Sequence, residues 1–489
     1  MNRFARLDRQ HVWHPFTQMR DWLREEPLVI VAGRGAVLRD AHDREYLDAN
    51  ASIWTNLHGH NHPRLNQAVR RQLGRIAHSS ALGLANEPAS LLAGELVRLA
   101  NPGRVLRAAV APGNPRLPKV FFSDDGSTAM EVALKLAYEF ARRTGRSRKP
   151  RFLSLGGAYH GDTVGAVSLG HVDLFHRAYR GLLFASDAVP PPFCYRCRFN
   201  RARPERADAR GYRVCRWECL DQLEQRCARR RRGEPYAGFV FEPRMQGAAG
   251  MIPQPDGWLR RAAEIVRADG TLLLADEVMT GFGRTGTDRG AGTVRGRPGM
   301  PSLFACHQEG VQPDFLALAK GLTGGYLPMA ATLTTQAVFD AFLGEYAEFK
   351  TFFHGHSFTG NQLGAAVANA SVALLTDPAG GRRRCRLEAD LTRELGRLWE
   401  LPTVGDIRQV GLVAGVELVR DWRTRRPFAL EERAGIRVCQ AMRDRGVLTR
   451  PIGNVIVIMP PYCTTAAQVR RMIAALADSI KEVLGPVRT

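Results

Sequence analysis

From about residue 118 onward, short β-branched or aromatic runs alternate with amphipathic stretches. Val120–Ser123 predicts a strand, and Ser127–Ala141 predicts a helix with Met130, Leu134 and Ala137 on one face. Arg151–Leu155, Gly238–Glu242, Thr271–Asp276, Phe315–Ala319 and Met329–Leu333 predict further strands, with a helix over Gly257–Ala268. The run from Thr271 to Asp276 is nearly all apolar, as a strand covered on both faces should be. This alternation predicts an α/β large domain on a mostly parallel, doubly wound sheet. Beyond residue 360 the pattern changes. Asn361–Leu375 predicts an Ala-rich helix, and Gly411–Val419 and Val455–Met459 predict strands, together a smaller α+β C-terminal domain. The first 60 residues are too short for a domain and too rich in Trp, His and Asn for a plain tail. The expected division is an N-terminal segment (1–60) packing with the small domain, a large domain (61–350) and a small domain (351–489). No internal repeat is visible.

At 489 residues the chain can bury a large core without disulfide staples. Its formal net charge is +21, mostly from arginine. Such a balance suits a nucleic-acid or acidic-membrane partner, or simply a basic surface with arginines gathered in loops at Arg226–Arg232 and Arg382–Arg384. No aromatic residues interleave with those runs, as a platform for single-stranded nucleic acid requires, so neither nucleic acid nor membrane is expected. No run reaches the roughly 18 apolar residues of a membrane span. Met1–Leu23 lacks the apolar core of a signal peptide, so a cytoplasmic protein is expected. Its nine cysteines are then reduced thiols or metal ligands. Cys194 and Cys197 form a CxxC and Cys215 and Cys219 a CxxxC, inside an Arg- and Pro-rich insertion at about 190–232. That spacing leaves two alternatives, a structural zinc site or four unliganded thiols, and neither is catalytic.

Four motifs carry chemistry. Gly281-Phe-Gly-Arg-Thr-Gly286 matches the glycine pattern of a dinucleotide-binding turn. That reading, a nicotinamide dehydrogenase, requires a helix after the last glycine and an acidic ribose ligand on the next strand. The sequence instead continues as Thr287-Asp-Arg-Gly-Ala-Gly-Thr, the composition of a loop. A zinc-bearing basic binding protein is the other reading from a different class. Asp276 closes an apolar strand, and Lys320 follows another and leads into Gly321-Leu-Thr-Gly-Gly325. A lysine beside glycines can approach a cofactor and form a Schiff base. A carboxylate facing the pyridine nitrogen of pyridoxal 5′-phosphate (PLP) keeps it protonated, making the ring an electron sink. A surface lysine and a structural aspartate are the bland alternative for this pair. Ser123-Asp-Asp-Gly-Ser-Thr128 lies between strand and helix, where backbone amides bind phosphate, Gly126 permits close approach and Ser127 adds a hydroxyl. A simple N-cap turn fits the same residues. Gly156-Gly-Ala-Tyr-His-Gly-Asp162 presents Tyr159 on a turn, for stacking on a flat ring or as an incidental side chain.

Taken together, FFSDDGSTAMEVALKLA, GAYHGDT, LLLADEVMTGFGRTG, PDFLALAKGLTGG and FFHGHSFTGNQ resemble the successive motifs of class III (fold type I) PLP-dependent aminotransferases, from about residue 10 to the end. HVWHPFTQM, SIWTNLHGHNHP and GVLTRPIGNVIVIMPPY are similar to the 7,8-diaminopelargonate aminotransferases of biotin synthesis within that family. The resemblance implies a homodimer converting 8-amino-7-oxononanoate to 7,8-diaminononanoate. Lys320 would hold PLP and shuttle a proton, Asp276 would pair with the pyridine nitrogen and Tyr159 would stack on the ring. Gly126 and Ser127 would hold the phosphate, with His356 and Ser357 reaching it across the subunit interface. Gly355 and Arg450 would meet the substrate, the guanidinium fork gripping its carboxylate. Trp54 would wall the pocket and Asp162 would help polarise it.

Three departures from the family pattern stand out. Phe16 replaces a common Tyr, Ile53-Trp54 replaces a common Trp pair, and an extra loop around Asp288–Ser302 sets Asp276 and Lys320 44 positions apart. The first two touch the pocket that receives the amino donor. The donor is expected to be S-adenosylmethionine, with lysine as the alternative. A broader ω-amino acid or diamine transaminase is the other same-class reading.

Overall fold

The computed structural model describes residues 1–107, 113–231, 234–286 and 303–485. The extra loop around 288–302 and the last arginine of the Arg226–Arg232 run lie outside them.

The apolar runs assemble into one seven-stranded sheet. Across it lie Lys119–Ser123, Ala330–Thr334, Phe315–Leu318, Leu272–Asp276, Gly238–Phe241, Phe152–Leu155 and Asp187–Val189, in that order. Ala330–Thr334 runs antiparallel to both its neighbours and the other pairs are parallel, so the sheet is mostly parallel as expected. The central strand shows why its sequence is unbroken by polar residues. Leu273 and Ala275 point into a core shared with Trp258, Leu259, Ala262 and Val266 of the helix Trp258–Ala268. Leu274 points the other way, into a core with Met130, Ala133, Leu134 and Ala137 of the helix Gly126–Arg143. Each fully buried large apolar side chain contributes about 1.5–3 kcal/mol, so covering both faces outweighs any single polar contact in the sheet.

A second sheet holds Val404–Val410, Val413–Asp421, Val455–Ile458 and Pro451–Ile452. The strand expected over Gly411–Val419 is the second arm of a hairpin; its first arm, Val404–Val410, was hidden by Asp406 and Arg408. Both are buried, Arg408 Nε lying 3.3 Å from Asp406 and its guanidinium donating to buried Glu417. Gly411 turns the hairpin with φ +59°, and a Cβ there would sit 2.2 Å from the backbone of Thr285 and Gly286. A third sheet joins the chain's two ends: Glu45–Asp48 pairs in parallel with Val447–Leu448, Leu47 opposite Val447.

The arginine clusters are not in loops. Arg226–Arg231 lie on the helix Glu218–Arg231 and Arg382–Arg384 on the helix Pro378–Gly396. Apolar residues at helical spacing, Leu220, Leu223 and Cys227 in one and Leu387, Leu391 and Leu395 in the other, override the charge run. The 190–232 insertion lies against the second sheet: Arg196 donates to Glu417, Arg206 to the Val404 carbonyl (2.6 Å) and Arg210 to the Gln409 carbonyl (2.7 Å). Cys194 and Cys219 are buried there and Cys197 and Cys215 half-buried. Burial pushes the Cys194 and Cys219 thiols up to about 12 and about 11. Among the described residues no three His, Cys, Asp or Glu side chains converge to hold a metal, and no helix is long and apolar enough to cross a membrane.

Glu417 therefore ties the insertion to the hairpin. Removing it in Glu417→Ala leaves the Arg408 guanidinium buried and short of a carboxylate, at a cost of about 3–5 kcal/mol. Chemical denaturation should show that loss as a lower midpoint at unchanged slope. A loss under about 1 kcal/mol would mean Asp406 alone suffices for Arg408.

Candidate active site

The carboxyl ends of the parallel strands converge on a cavity of about 260 Å³, near the lower end of the roughly 300–1,000 Å³ typical of small-molecule sites. Trp54, Gly126, Ser127, Tyr159, Asp276 and Lys320 all line it.

Lys320 follows the strand Phe315–Leu318, and Asp276 ends the neighbouring strand in register with Ala317. Burial lowers the Lys320 amine below its usual range, while the Asp276 and Glu242 carboxylates pull it back up. Its Nζ lies 4.9 Å from the centre of the Trp54 ring. Asp276 is buried, and two donors fix it: His160 Nδ1 on Oδ2 at 2.8 Å and the Val278 amide on Oδ1 at 3.0 Å.

Trp54 reaches the cavity by an unusual route. Ala51, Ser52, Ile53 and Trp54 all have left-handed backbones, with φ from 44° to 72°. This costs L-residues on the order of 1–2 kcal/mol each. Asp48 supports the turn: Oδ1 accepts the Ser52 amide (3.0 Å), and Oδ2 accepts the Ser52 hydroxyl (2.8 Å) and His60 Nε2 (3.0 Å). Asn50 then accepts Trp54 Nε1 at 2.8 Å, which sets the indole.

The phosphate-binding candidate is the start of the helix Gly126–Arg143. Asp125 and Thr128 cap it reciprocally, each side chain accepting the other's amide at 2.9 Å. The amides of Gly126 and Ser127 are thus left for an anion, as the first turn of a helix leaves them. No Cβ fits at Gly126, where it would meet Val278 at 2.6 Å. Gly161 crosses Ser127 with φ +120°, and a Cβ there would lie 2.1 Å from Ser127 Oγ. That crossing lets Ser127 Oγ accept the Asp162 amide at 3.2 Å. Tyr159, on the same turn, donates its hydroxyl to Asp162 at 2.6 Å; burial and that carboxylate raise its pKa. The amine, the buried carboxylate, the free helix amides and the two side-chain-free crossings fit a flat, phosphorylated aldehyde such as PLP.

Sequence reading had missed two residues here. His160 lies inside the quoted GAYHGDT motif but was given no role, although a donor is what a buried Asp276 needs. Glu242 directly follows the strand Gly238–Phe241, much as Asp276 closes its own, and it lines the same cavity. Its carboxylate accepts the Gly247 amide at 2.7 Å, and burial pushes it up to about 7. The remaining candidates do not line the cavity. Phe16 and Asp162 line an adjoining chamber. Ile53, Gly355, Ser357 and Arg450 are exposed, and His356 Nδ1 lies 3.1 Å from Asp124 of its own chain. The Gly281–Gly286 motif is a structural corner: buried Arg284 donates to the Pro460 carbonyl (2.7 Å) and the Asn56 carbonyl (3.1 Å).

The family model described as "Aminotransferase class-III" matches residues 19–480. A Geobacter sulfurreducens protein named adenosylmethionine-8-amino-7-oxononanoate aminotransferase is 48% identical, over 98% of this chain and 97% of its own length. The crystal structure of the protein of that name from Methanocaldococcus jannaschii superposes with a TM-score of 0.85 at 35% identity, covering 98% of this chain and 99% of that one. An amine transaminase from an uncultivated Pseudomonas species, solved in its PLP-bound form, gives 0.83 at 30% identity, covering 96% and 98%. The chain belongs to the class III aminotransferase family, whose members use PLP.

Proposed function

We propose that this chain converts 8-amino-7-oxononanoate to 7,8-diaminononanoate in biotin synthesis, with PLP as cofactor and S-adenosylmethionine as amino donor. The observation that carries the reading is the single cavity in which Lys320, Asp276 and the amides of Gly126 and Ser127 meet. Relatives bearing that name match over nearly their whole length.

PLP, when bound, supplies a conjugated ring that withdraws electrons from the bond being broken. The chain's own residues do the rest. The Lys320 amine anchors the cofactor and, once displaced by a substrate amine, carries a proton to and from the substrate carbon. Asp276, held by His160 and the Val278 amide, keeps a proton on the ring nitrogen. Gly126 and Ser127 hold the phosphate through the helix amides. Tyr159 would stack on the ring and Trp54 wall the pocket, and Asp162, which accepts the Tyr159 hydroxyl, would help polarise it. Arg450 takes the carboxylate of the ketone.

The homodimer belongs to the same proposal. Gly355, His356 and Ser357 lie outside the cavity of their own chain, which supports their service to a partner's phosphate and substrate. So does the division at about residues 60 and 350, with the first segment joined to the C-terminal unit through Leu47 opposite Val447. A cytoplasmic location is part of the same proposal.

Two variants test this reading. Lys320→Ala should abolish turnover with any donor, because anchor and proton carrier vanish together; steady-state transamination by it would sink the assignment. The second test uses pH. Only the neutral Lys320 amine captures PLP, so capture by the cofactor-free protein should quicken as pH rises through the lowered pKa. Glu242, itself ionising at about 7, favours the ammonium form above that pH. Glu242→Gln should therefore move the midpoint of capture to lower pH, read from growth of the visible PLP band. An unmoved or raised midpoint would mean that Glu242 does not act on the amine.

A further inference from the structure

The Lys320 amine lies over the face of the Trp54 indole, 4.9 Å from the ring centre. That is inside the distance of about 6 Å at which an aromatic face attracts a cation. The indole also packs against Met245, Met251 and Met279. Gly247 puts no side chain between them: a Cβ there would lie 2.7 Å from Met279 Sδ and 3.4 Å from the indole. An indole does not titrate, so its attraction for the ammonium form holds at every pH. It acts in the same direction as the Asp276 and Glu242 carboxylates and against burial. The other titratable groups lining the cavity are engaged elsewhere, Asp125 with the Thr128 amide, His160 with Asp276 and Tyr159 with Asp162.

The attraction lasts only while the ring stays in place, and a series of hydrogen bonds outside the cavity holds it there. Asn56 Oδ1 accepts the Gly59 amide at 2.8 Å, which turns Nδ2 to donate to His60 Nδ1 at 2.9 Å. Nδ1 is therefore the bare nitrogen, and the proton on Nε2 is donated to Asp48 Oδ2 at 3.0 Å. Asp48 in turn accepts the amide and hydroxyl of Ser52 and the amide of Asn50, and the Asn50 side chain accepts the indole N–H. Neither His60 nor Asp48 lines the cavity.

Resting on Lys320 as the amine that captures PLP, we propose that the Trp54 ring favours the protonated form of that amine, and that Asp48 and His60 are positioning residues acting on it only through the indole.

The test follows capture of PLP by the cofactor-free protein across pH, read from growth of the visible band and needing no turnover. Trp54→Leu keeps an apolar wall but removes the aromatic face. The ammonium form then loses support, and the midpoint of capture should fall by roughly 0.4–1.5 pH units. Trp54→Phe, which keeps a smaller ring, should fall between Trp54→Leu and wild type. His60→Ala and Asp48→Asn each free the turn and should give part of the Trp54→Leu shift. Added to Trp54→Leu they should give nothing more, since the ring they act through is gone. Loosening alone would admit water, ease the burial of the amine and move the midpoint upward instead. An unmoved or raised midpoint in Trp54→Leu and Trp54→Phe would overturn the role of the ring. The positioning role is overturned if the midpoint in His60→Ala and Asp48→Asn stays or rises, or if their shift persists beside Trp54→Leu. A wild type that captures no PLP at any pH overturns the reading of Lys320 beneath both.

Discussion

A lysine amine kept out of water must either lose its proton or find anions, and this site arranges for both. An isolated buried ion costs several kcal/mol even after relaxation. Burial accordingly lowers the Lys320 pKa, and Asp276 and Glu242 limit how far. Those carboxylates are themselves buried and need donors in turn. Asp276 takes His160 and the Val278 amide, and Glu242 takes the Gly247 amide. Each charge-assisted bond contributes about 1.5–3 kcal/mol; Asp276 has two, whereas Glu242 has the Gly247 amide and burial pushes it up to about 7. The amine and its two carboxylates stand at the carboxyl ends of three neighbouring strands, and the parallel register of Leu272–Asp276 against Phe315–Leu318 and Gly238–Phe241 brings them to one place.

The second demand is strain. Four left-handed residues, Ala51 to Trp54, store several kcal/mol. Asp48 offsets part of this with its bonds to Ser52 and His60, and it can do so because it is itself fixed, at the end of a strand paired with Val447–Leu448. The wall of the catalytic cavity is thus held by a segment from one end of the chain pinned to a strand from the other. Loss of that pairing would release the turn and Trp54 together.

Much of this was legible in the sequence, for identifiable reasons. Leu273, Leu274 and Ala275 announce a strand covered twice, and an aspartate closing such a strand is unusual enough to mark chemistry. Lys320 before Gly321 is legible in the same way. The hairpin arm Val404–Val410 was not, because Asp406 and Arg408 neutralise each other only in three dimensions and look like solvent-facing residues along the chain. The arginine-bearing helices misled for the opposite reason: charge density masked the apolar spacing beneath it. His160 and Glu242 needed the structure, since a donor for Asp276 and a second carboxylate for Lys320 come from strands and turns far away in sequence. Nothing local predicts the left-handed turn at Ala51–Trp54, for these are residues that ordinarily avoid it; its supports, Asp48 and His60, are spaced by no recognisable motif.

The two departures near the donor pocket now have a physical setting. A tyrosine at position 16 would bring a hydroxyl beside the rings of Phe175 and Tyr159, which Phe16 meets at 5.3 and 6.4 Å, whereas exposed Ile53 lines neither the catalytic cavity nor the space beside it. With Phe16 that cluster of three rings carries one hydroxyl, that of Tyr159, and it is tied to Asp162. Asp162 stands between the two spaces: it accepts the Tyr159 hydroxyl beside the catalytic cavity and lines the space that Phe16 and Phe175 wall, so a change on either side reaches the turn that carries Tyr159.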